Sequence, residues 1–147
     1  MATTERLVLD GSIALAWCFP DEQAAYPRSV LDSLGGKAVA IVPALWPLEV
    51  ANALLMGERR KRSSQMDTVA WMGFLSALPI TVNTEAAARA FGDITNLART
   101  HRLTVYDAAY LELAMRLGIG LATLDEELKA AAKAVGVALY EPAAGTA

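Results

Sequence analysis

Leu7-Val8-Leu9-Asp10-Gly11-Ser12 is the stretch on which the reading of this chain turns. Aliphatic residues closed by an acid and a glycine turn read as a buried strand that ends at Asp10, and Ile13 to Phe19 then reads as a short helix. A strand handing over to a helix opens an α/β chain, and open α/β folds bind their ligands at the carboxyl ends of the strands. Asp10 therefore stands at a ligand position more than at a cap.

The same alternation continues outward from this point. Pro20-Asp21-Glu22 marks a helix start with acids in its first turn, and Gly35-Gly36 marks its end. Val39 to Val42 predicts a second strand. Beyond Pro43, Leu45, Leu48, Ala51 and Leu55 recur at roughly helical spacing, and that helix ends in the basic run Arg59-Arg60-Lys61-Arg62. Ser63-Ser64 opens another helix through Leu78, Ile80 to Val82 is a brief strand, and the alanine-rich Thr84 to His101 is helical. Leu103 to Tyr106 leads into Asp107 and a helix that Gly118 ends. Leu121 to Leu124 predicts a strand ending at Asp125, followed by a helix from Glu126 to Val135 and a strand from Val137 to Tyr140. With no repeat, linker or low-complexity segment, the chain predicts one α/β domain over residues 1–141 and a short frayed tail over 142–147.

Composition bounds the function. In 147 residues, 54% of them apolar, there is room for one sizeable core and no second domain. A formal charge of -3 and a pI near 5.1 exclude a broad electrostatic grip on nucleic acid, so any such contact needs a local basic patch or a metal. The lone Cys18 forms no internal disulfide and the start carries no cleavable signal pattern, so a cytoplasmic location is expected. The apolar stretch Ala38 to Leu55 is broken by Pro43, Pro47, Glu49 and Asn52, and does not read as a membrane span.

Four acids, Asp10, Glu49, Asp107 and Asp125, lie beside apolar strand-like or helix-opening sequence, where an unpaired charge is costly to bury. Taken singly they have ordinary readings. Asp107 and Asp125 precede helices and suit amino-terminal caps, and Glu49, between Leu48 and Val50, suits either a helix surface or a buried ligand position. Taken together, with Ser12, Asn52 and Thr123 nearby, they form the oxygen-rich set that hard Mg²⁺ or Mn²⁺ prefers, and such a cation lets mutually repelling acids share space. Cys18 and the single His101 cannot build a zinc site; Cys18 reads as a core residue and His101 as structural or solvated. Glycine-rich phosphate loops are absent, and a nucleophile triad is not supplied. The chemistry expected is that of a divalent-metal phosphodiesterase.

Arg59-Arg60-Lys61-Arg62 reads as a solvated helix end favoured by the helix dipole, as a grip on a substrate's phosphate backbone, or as both. Trp46, Trp71, Met72, Phe74 and Leu75 read as core or as a self-association face, and a homodimer is expected.

With these residues assembled, the chain resembles, over nearly its whole length, the PIN-domain ribonucleases, particularly the VapC-type toxins of toxin–antitoxin pairs. The segment Leu7 to Trp17 looks like the family's first motif, and Pro43 to Asn52, with Glu49 and then Asn52 one turn on, looks like its second. Tyr106-Asp107-Ala108-Ala109-Tyr110-Leu111-Glu112-Leu113-Ala114 resembles the third and Leu121-Ala122-Thr123-Leu124-Asp125 the fourth. The resemblance implies a three-layer α/β/α sandwich with a central parallel sheet. It implies Mg²⁺ or Mn²⁺ held by Asp10, Glu49, Asp107 and Asp125, with Asp10 and Asp107 as direct ligands and Ser12 and Thr123 in support. The implied activity is endoribonuclease cleavage by metal-activated water, leaving 3′-hydroxyl and 5′-phosphate ends, with an antitoxin as a separate chain. One departure is Ala16, where many relatives carry lysine, which weakens a substrate contact and leaves the metal site intact. The competing readings are a catalytically idle interaction module, disfavoured by the complete acid quartet, and a DNA-directed nuclease, against which RNA is preferred by the resemblance alone.

Overall fold

The structure is a computed structural model that describes residues 4–19 and 25–142. The expected helix start at Pro20-Asp21-Glu22 and the end of the expected tail, 143–147, lie outside these residues. The chain runs β1 (Glu5–Leu9), α1 (Gly11–Cys18), α2 (Ala25–Leu34), β2 (Ala38–Pro43), α3 (Leu45–Arg59), α4 (Gln65–Ser76) and β3 (Ile80–Asn83). It continues through α5 (Ala86–Arg89), a π-helical turn (Ala90–Ile94), α6 (Thr95–His101), α7 (Val105–Leu117), β4 (Gly120–Ala122) and α8 (Glu126–Val135).

All pairings are parallel and the strand order is β3-β2-β1-β4. The path from β1 to β2 to β3 moves one way across the sheet, and the return to β4 moves the other way, to the far side of β1. Because parallel crossovers are right-handed, this reversal places the earlier helices on one face and α5 to α7 on the other. Packing agrees: α1 contacts α2 and α3, which lie on β2, whereas α7 crosses β1, β2 and β4. Leu7, Val8 and Leu9 are fully buried, so β1 is covered on both faces, and this explains a continuous aliphatic run where a one-sided strand would alternate. The result is a three-layer α/β/α sandwich.

Local signals set the element ends. Ser64 and Asp67 exchange side-chain to backbone hydrogen bonds in a capping box that starts α4. Gly118 ends α7 with φ 66°, a left-handed conformation that costs glycine little. Two expectations are corrected. The strand expected over Val137 to Tyr140 contracts to an isolated parallel bridge between Leu139 and Leu121, because β4 spans only Gly120–Ala122 and offers little ladder to extend. The single helix expected over Thr84 to His101 is instead broken by the π-helical turn. Of the aromatic cluster, Trp46 and Leu75 are buried in the core, Trp71 is half-buried against Phe19, and Met72 and Phe74 are exposed on α4.

Candidate metal centre at the strand switch point

The strand order reverses between β1 and β4, and in open α/β sheets the crevice at such a switch is where ligands bind. Asp10 follows β1 at this place, only 8% exposed, and its backbone N–H donates to the Ala122 carbonyl at 3.0 Å. Its Oδ2 accepts from the Ser12 hydroxyl at 2.8 Å and from the Thr123 hydroxyl at 2.6 Å. The Ser12 Oγ in turn accepts from the Leu124 N–H and the Thr123 Oγ1 from the Asp125 N–H, each at 3.0 Å. Asp125 caps α8 by accepting from the Leu128 N–H at 2.9 Å. Two hydroxyls thus stitch the end of β1 to the loop after β4, and they account for a buried carboxylate that lacks a basic partner among these bonds.

Asp107 sits in the first turn of α7, where the helix dipole favours an acid. It is not the cap. The helix begins at Val105, so Thr104 takes the capping position and accepts from the Asp107 N–H at 3.0 Å. Glu49 lies on the first turns of α3 and is exposed, so of the two positions open to it the helix surface is the one it takes. Its Oε1 accepts from the hydroxyl of Tyr110, a ring that is fully buried.

The acids feel one another. Although Glu49 is exposed as a residue, partial desolvation of its carboxyl end raises it above the ordinary range, the Tyr110 hydrogen bond opposes the shift, and the charges of Asp10 and Asp107 add to it. Asp107 is likewise raised, by burial first and then by Asp10 and Asp125. Burial and its bond to Glu49 push the Tyr110 hydroxyl far up, so it stays a donor. Among the described residues no three acidic, histidine or cysteine side chains close onto one point, so the carboxylates share a field without forming a finished cage. An all-oxygen set in which neighbouring negative charges help to raise Glu49 and Asp107 nevertheless matches the chemistry of a hard divalent cation, and Mg²⁺ or Mn²⁺ fits the residues present.

Other expected residues divide. Ser12 and Thr123 take the supporting positions described. Asn52 is exposed and enters none of the bonds that join the acids. From the basic run, Arg60 and Arg62 line a groove that includes Ser12 and Leu124, whereas Arg59 and Lys61 do not; Lys61 holds a left-handed backbone conformation at φ 60°. Ala16 and Lys129 line the same groove. Tyr110 and Lys129 were not legible as site residues. Tyr110 falls at a helical spacing indistinguishable from that of a core residue, and Lys129 sits on a helix whose orientation depends on tertiary packing. Cys18 is buried and its thiol is pushed up to about 11, as befits a core residue.

A three-layer sandwich with acids at its strand switch defines a class of open α/β proteins, and comparison gives the family. The PIN domain family matches residues 7–134, and the chain belongs to that family, of the VapC type. It is 33% identical over 129 residues to ribonuclease VapC3 of Pyrobaculum aerophilum, which covers 84% of this chain and 92% of that protein. In fold it is similar to Mycobacterium tuberculosis VapC20, described as a Sarcin-Ricin loop cleaving toxin, with a TM-score of 0.63 at 17% identity over 85% of this chain and 94% of that one. It is also similar in fold to VapBC2 of Rickettsia felis, solved bound to a promoter DNA fragment, with a TM-score of 0.63 at 10% identity over 92% of this chain and 97% of that one.

Proposed function

We propose that this protein is the endoribonuclease toxin of a toxin–antitoxin pair, cutting RNA phosphodiester bonds at the site formed by Asp10, Glu49, Asp107 and Asp125. The observation that carries the reading is the gathering of these acids at the β1–β4 switch in a chain similar to ribonuclease VapC3.

Asp10 and Asp107 are the direct ligands of a divalent cation, with Glu49 and Asp125 completing the negative charge. When bound, Mg²⁺ or Mn²⁺ supplies positive charge that polarises the attacking water and the phosphate oxygens. The chain's own groups do the positioning. Ser12 and Thr123 fix one oxygen of Asp10 and hold that carboxylate on the loop after β4. Tyr110 keeps its proton and fixes one oxygen of Glu49. Arg60 and Arg62 give the otherwise acidic protein a place for the substrate backbone beside these acids.

An antitoxin on a separate chain is the expected protein partner, by likeness to the VapBC2 assembly. A second copy of this chain is expected to cover part of the exposed apolar surface of α4, which carries Met66, Val69 and Phe74. Among the described residues no helix is long and apolar enough to cross a membrane; action in the cytoplasm, where RNA is met, belongs to the same proposal.

The deciding experiment incubates antitoxin-free protein with end-labelled RNA and with DNA of matching sequence, in Mg²⁺, Mn²⁺ or chelator, beside an Asp107→Asn variant purified identically. RNA cuts that need metal and vanish in the variant support the reading. Cuts confined to DNA replace RNA by DNA as the substrate, and cuts that survive in the variant remove the assignment of the site.

A further inference from the structure

A groove of about 810 Å³ is lined by residues of α1, α3 and the first turns of α8 and adjoins the acids through Ser12, which is hydrogen-bonded to Asp10, and Leu124, which precedes Asp125. Its apolar lining comes from Leu15, Phe19 and Met56, and its charged lining is three cations, Arg60, Arg62 and Lys129, against one acid, Glu126. In a protein of net charge -3, such a concentration of positive charge in one concavity focuses attraction for an anion there.

The cations are set by packing. The guanidinium of Arg62 lies 4.7 Å from the centre of the Phe19 ring, and Phe19 in turn packs edge-on against Trp71 at 4.9 Å between centroids. That arrangement needs Gly57, since a Cβ there would come within 2.7 Å of the Phe19 Cζ. A guanidinium held over a ring keeps its N–H edge for a further partner. Lys129 approaches from α8. Its contact with Glu126 is 3.7 Å long and the Glu126 side chain is 85% exposed, so water screens the pair and little holds the ammonium back from a stronger anion. Lys129 also lines a smaller hollow beside Thr123, which places it on the ridge next to Asp10's support.

We infer that this groove is the track of the substrate strand on one side of the cut, with Arg62 and Lys129 as its phosphate contacts and the Leu15–Phe19–Met56 lining receiving sugar and base. The inference rests on the ribonuclease reading above and adds where the strand lies and which cations hold it. Lys129 is the residue that no motif in the chain announces.

The test uses the full chain carrying Asp107→Asn, so that RNA is held uncut, and a labelled short single-stranded RNA followed by fluorescence anisotropy across a salt series. Lys129→Met and Arg62→Met keep the apolar stems and remove the charge. Each is expected to weaken binding and to reduce the slope of log affinity against log salt by about 0.7, the share of one phosphate contact on a single strand. Lys133→Met, an exposed cation of α8 outside the groove, leaves the slope unchanged. Ala16→Lys, which places a cation in the same groove, restores the slope on the Lys129→Met background. Unchanged slopes in both groove variants, while the unsubstituted protein still cuts RNA, overturn the track and leave the ribonuclease standing. No binding by the parent together with no Asp107-dependent cutting overturns both.

Discussion

Tyr110 of α7 donates its hydroxyl to Glu49 of α3, joining two helices across 61 residues of sequence. The ring is fully buried while the acceptor sits on the solvent side, so a core residue carries the orientation of an exposed carboxylate. Tyr110→Phe keeps the ring and deletes only the donor. Supports of this kind beneath metal-site acids typically carry ten- to a hundredfold in affinity or activity, and about tenfold weaker Mn²⁺ binding by titration calorimetry is expected with little change in melting temperature. Unaltered Mn²⁺ affinity would show that Glu49 is not held through this bond.

Thr123 serves Asp10 and Asp125 with one hydroxyl, donating at 2.6 Å and accepting at 3.0 Å. Thr123→Val is close in shape, but it strips Asp10 of a donor and strands the Asp125 N–H. Loss of a partner to a buried polar group costs about 1–3 kcal/mol. A fall of that size in denaturant stability, accompanied by loss of RNA cutting, is expected. A variant as stable and active as the parent would place the support of Asp10 on Ser12 alone.

Chelation is expected to expose the mutual repulsion of the acids. The Asp107 carboxyl is raised by burial and by Asp10 and Asp125. A raised acid adds stability that is present at low pH and lost as pH rises through the raised value. In chelator, Asp107→Asn is therefore expected to melt higher than the parent at neutral pH. Saturating Mn²⁺ at about a hundred times its dissociation constant should stabilise the parent by about 2.7 kcal/mol and the variant by much less. Equal metal-induced shifts measured by differential scanning fluorimetry would count against this site.

Gly57→Ala tests the groove wall. With Cβ only 2.7 Å from Phe19 Cζ, the ring must move, and overpacking of this kind costs about 1–3 kcal/mol. Because Arg62 rests on that ring, RNA affinity is expected to fall together with the melting temperature; an unperturbed protein would mean that Phe19 yields freely.

Alkaline pH provides a readout remote from the acids. Burial raises the Cys18 thiol from 9.0 to about 11. The unfolded chain ionises first, so stability that is intact below pH 9 is lost as pH rises towards 11, by about 2–3 kcal/mol at 1.36 kcal/mol per unit. Tyr26, raised to about 12, continues the loss at higher pH. In Cys18→Val the part of the decline between 9 and 11 is expected to disappear from denaturant titrations; a decline of the same size would assign it elsewhere.

Much of this architecture was legible because it rests on local rules. β1 is buried on both faces and therefore uninterrupted in hydrophobicity, and a strand of that kind ending in an acid announces both the parallel sheet and the position of Asp10. The acids at 49, 107 and 125 follow from the same alternation of strands and helices. What escaped depends on partners distant in sequence. Asp125 caps α8 as its position suggests, whereas α7 starts three residues earlier than expected and is capped by Thr104 instead of Asp107, a difference that composition does not resolve. Tyr110 reads as core by spacing, and only the placement of α3 shows what its hydroxyl meets. Val137 to Tyr140 has strand-forming residues, but the short β4 beside it decides how much of them pairs.

The bond between Thr123 and Asp10 spans 113 residues, and the sheet order that makes it possible is complete only when β4 docks on the far side of β1. During synthesis, the first acid leaves the ribosome long before the hydroxyl that fixes it. A nascent chain of this protein therefore lacks the finished support of Asp10 until β4 has emerged and docked beside β1. A chain stopped before Gly120 and assayed on the same RNA should leave it intact.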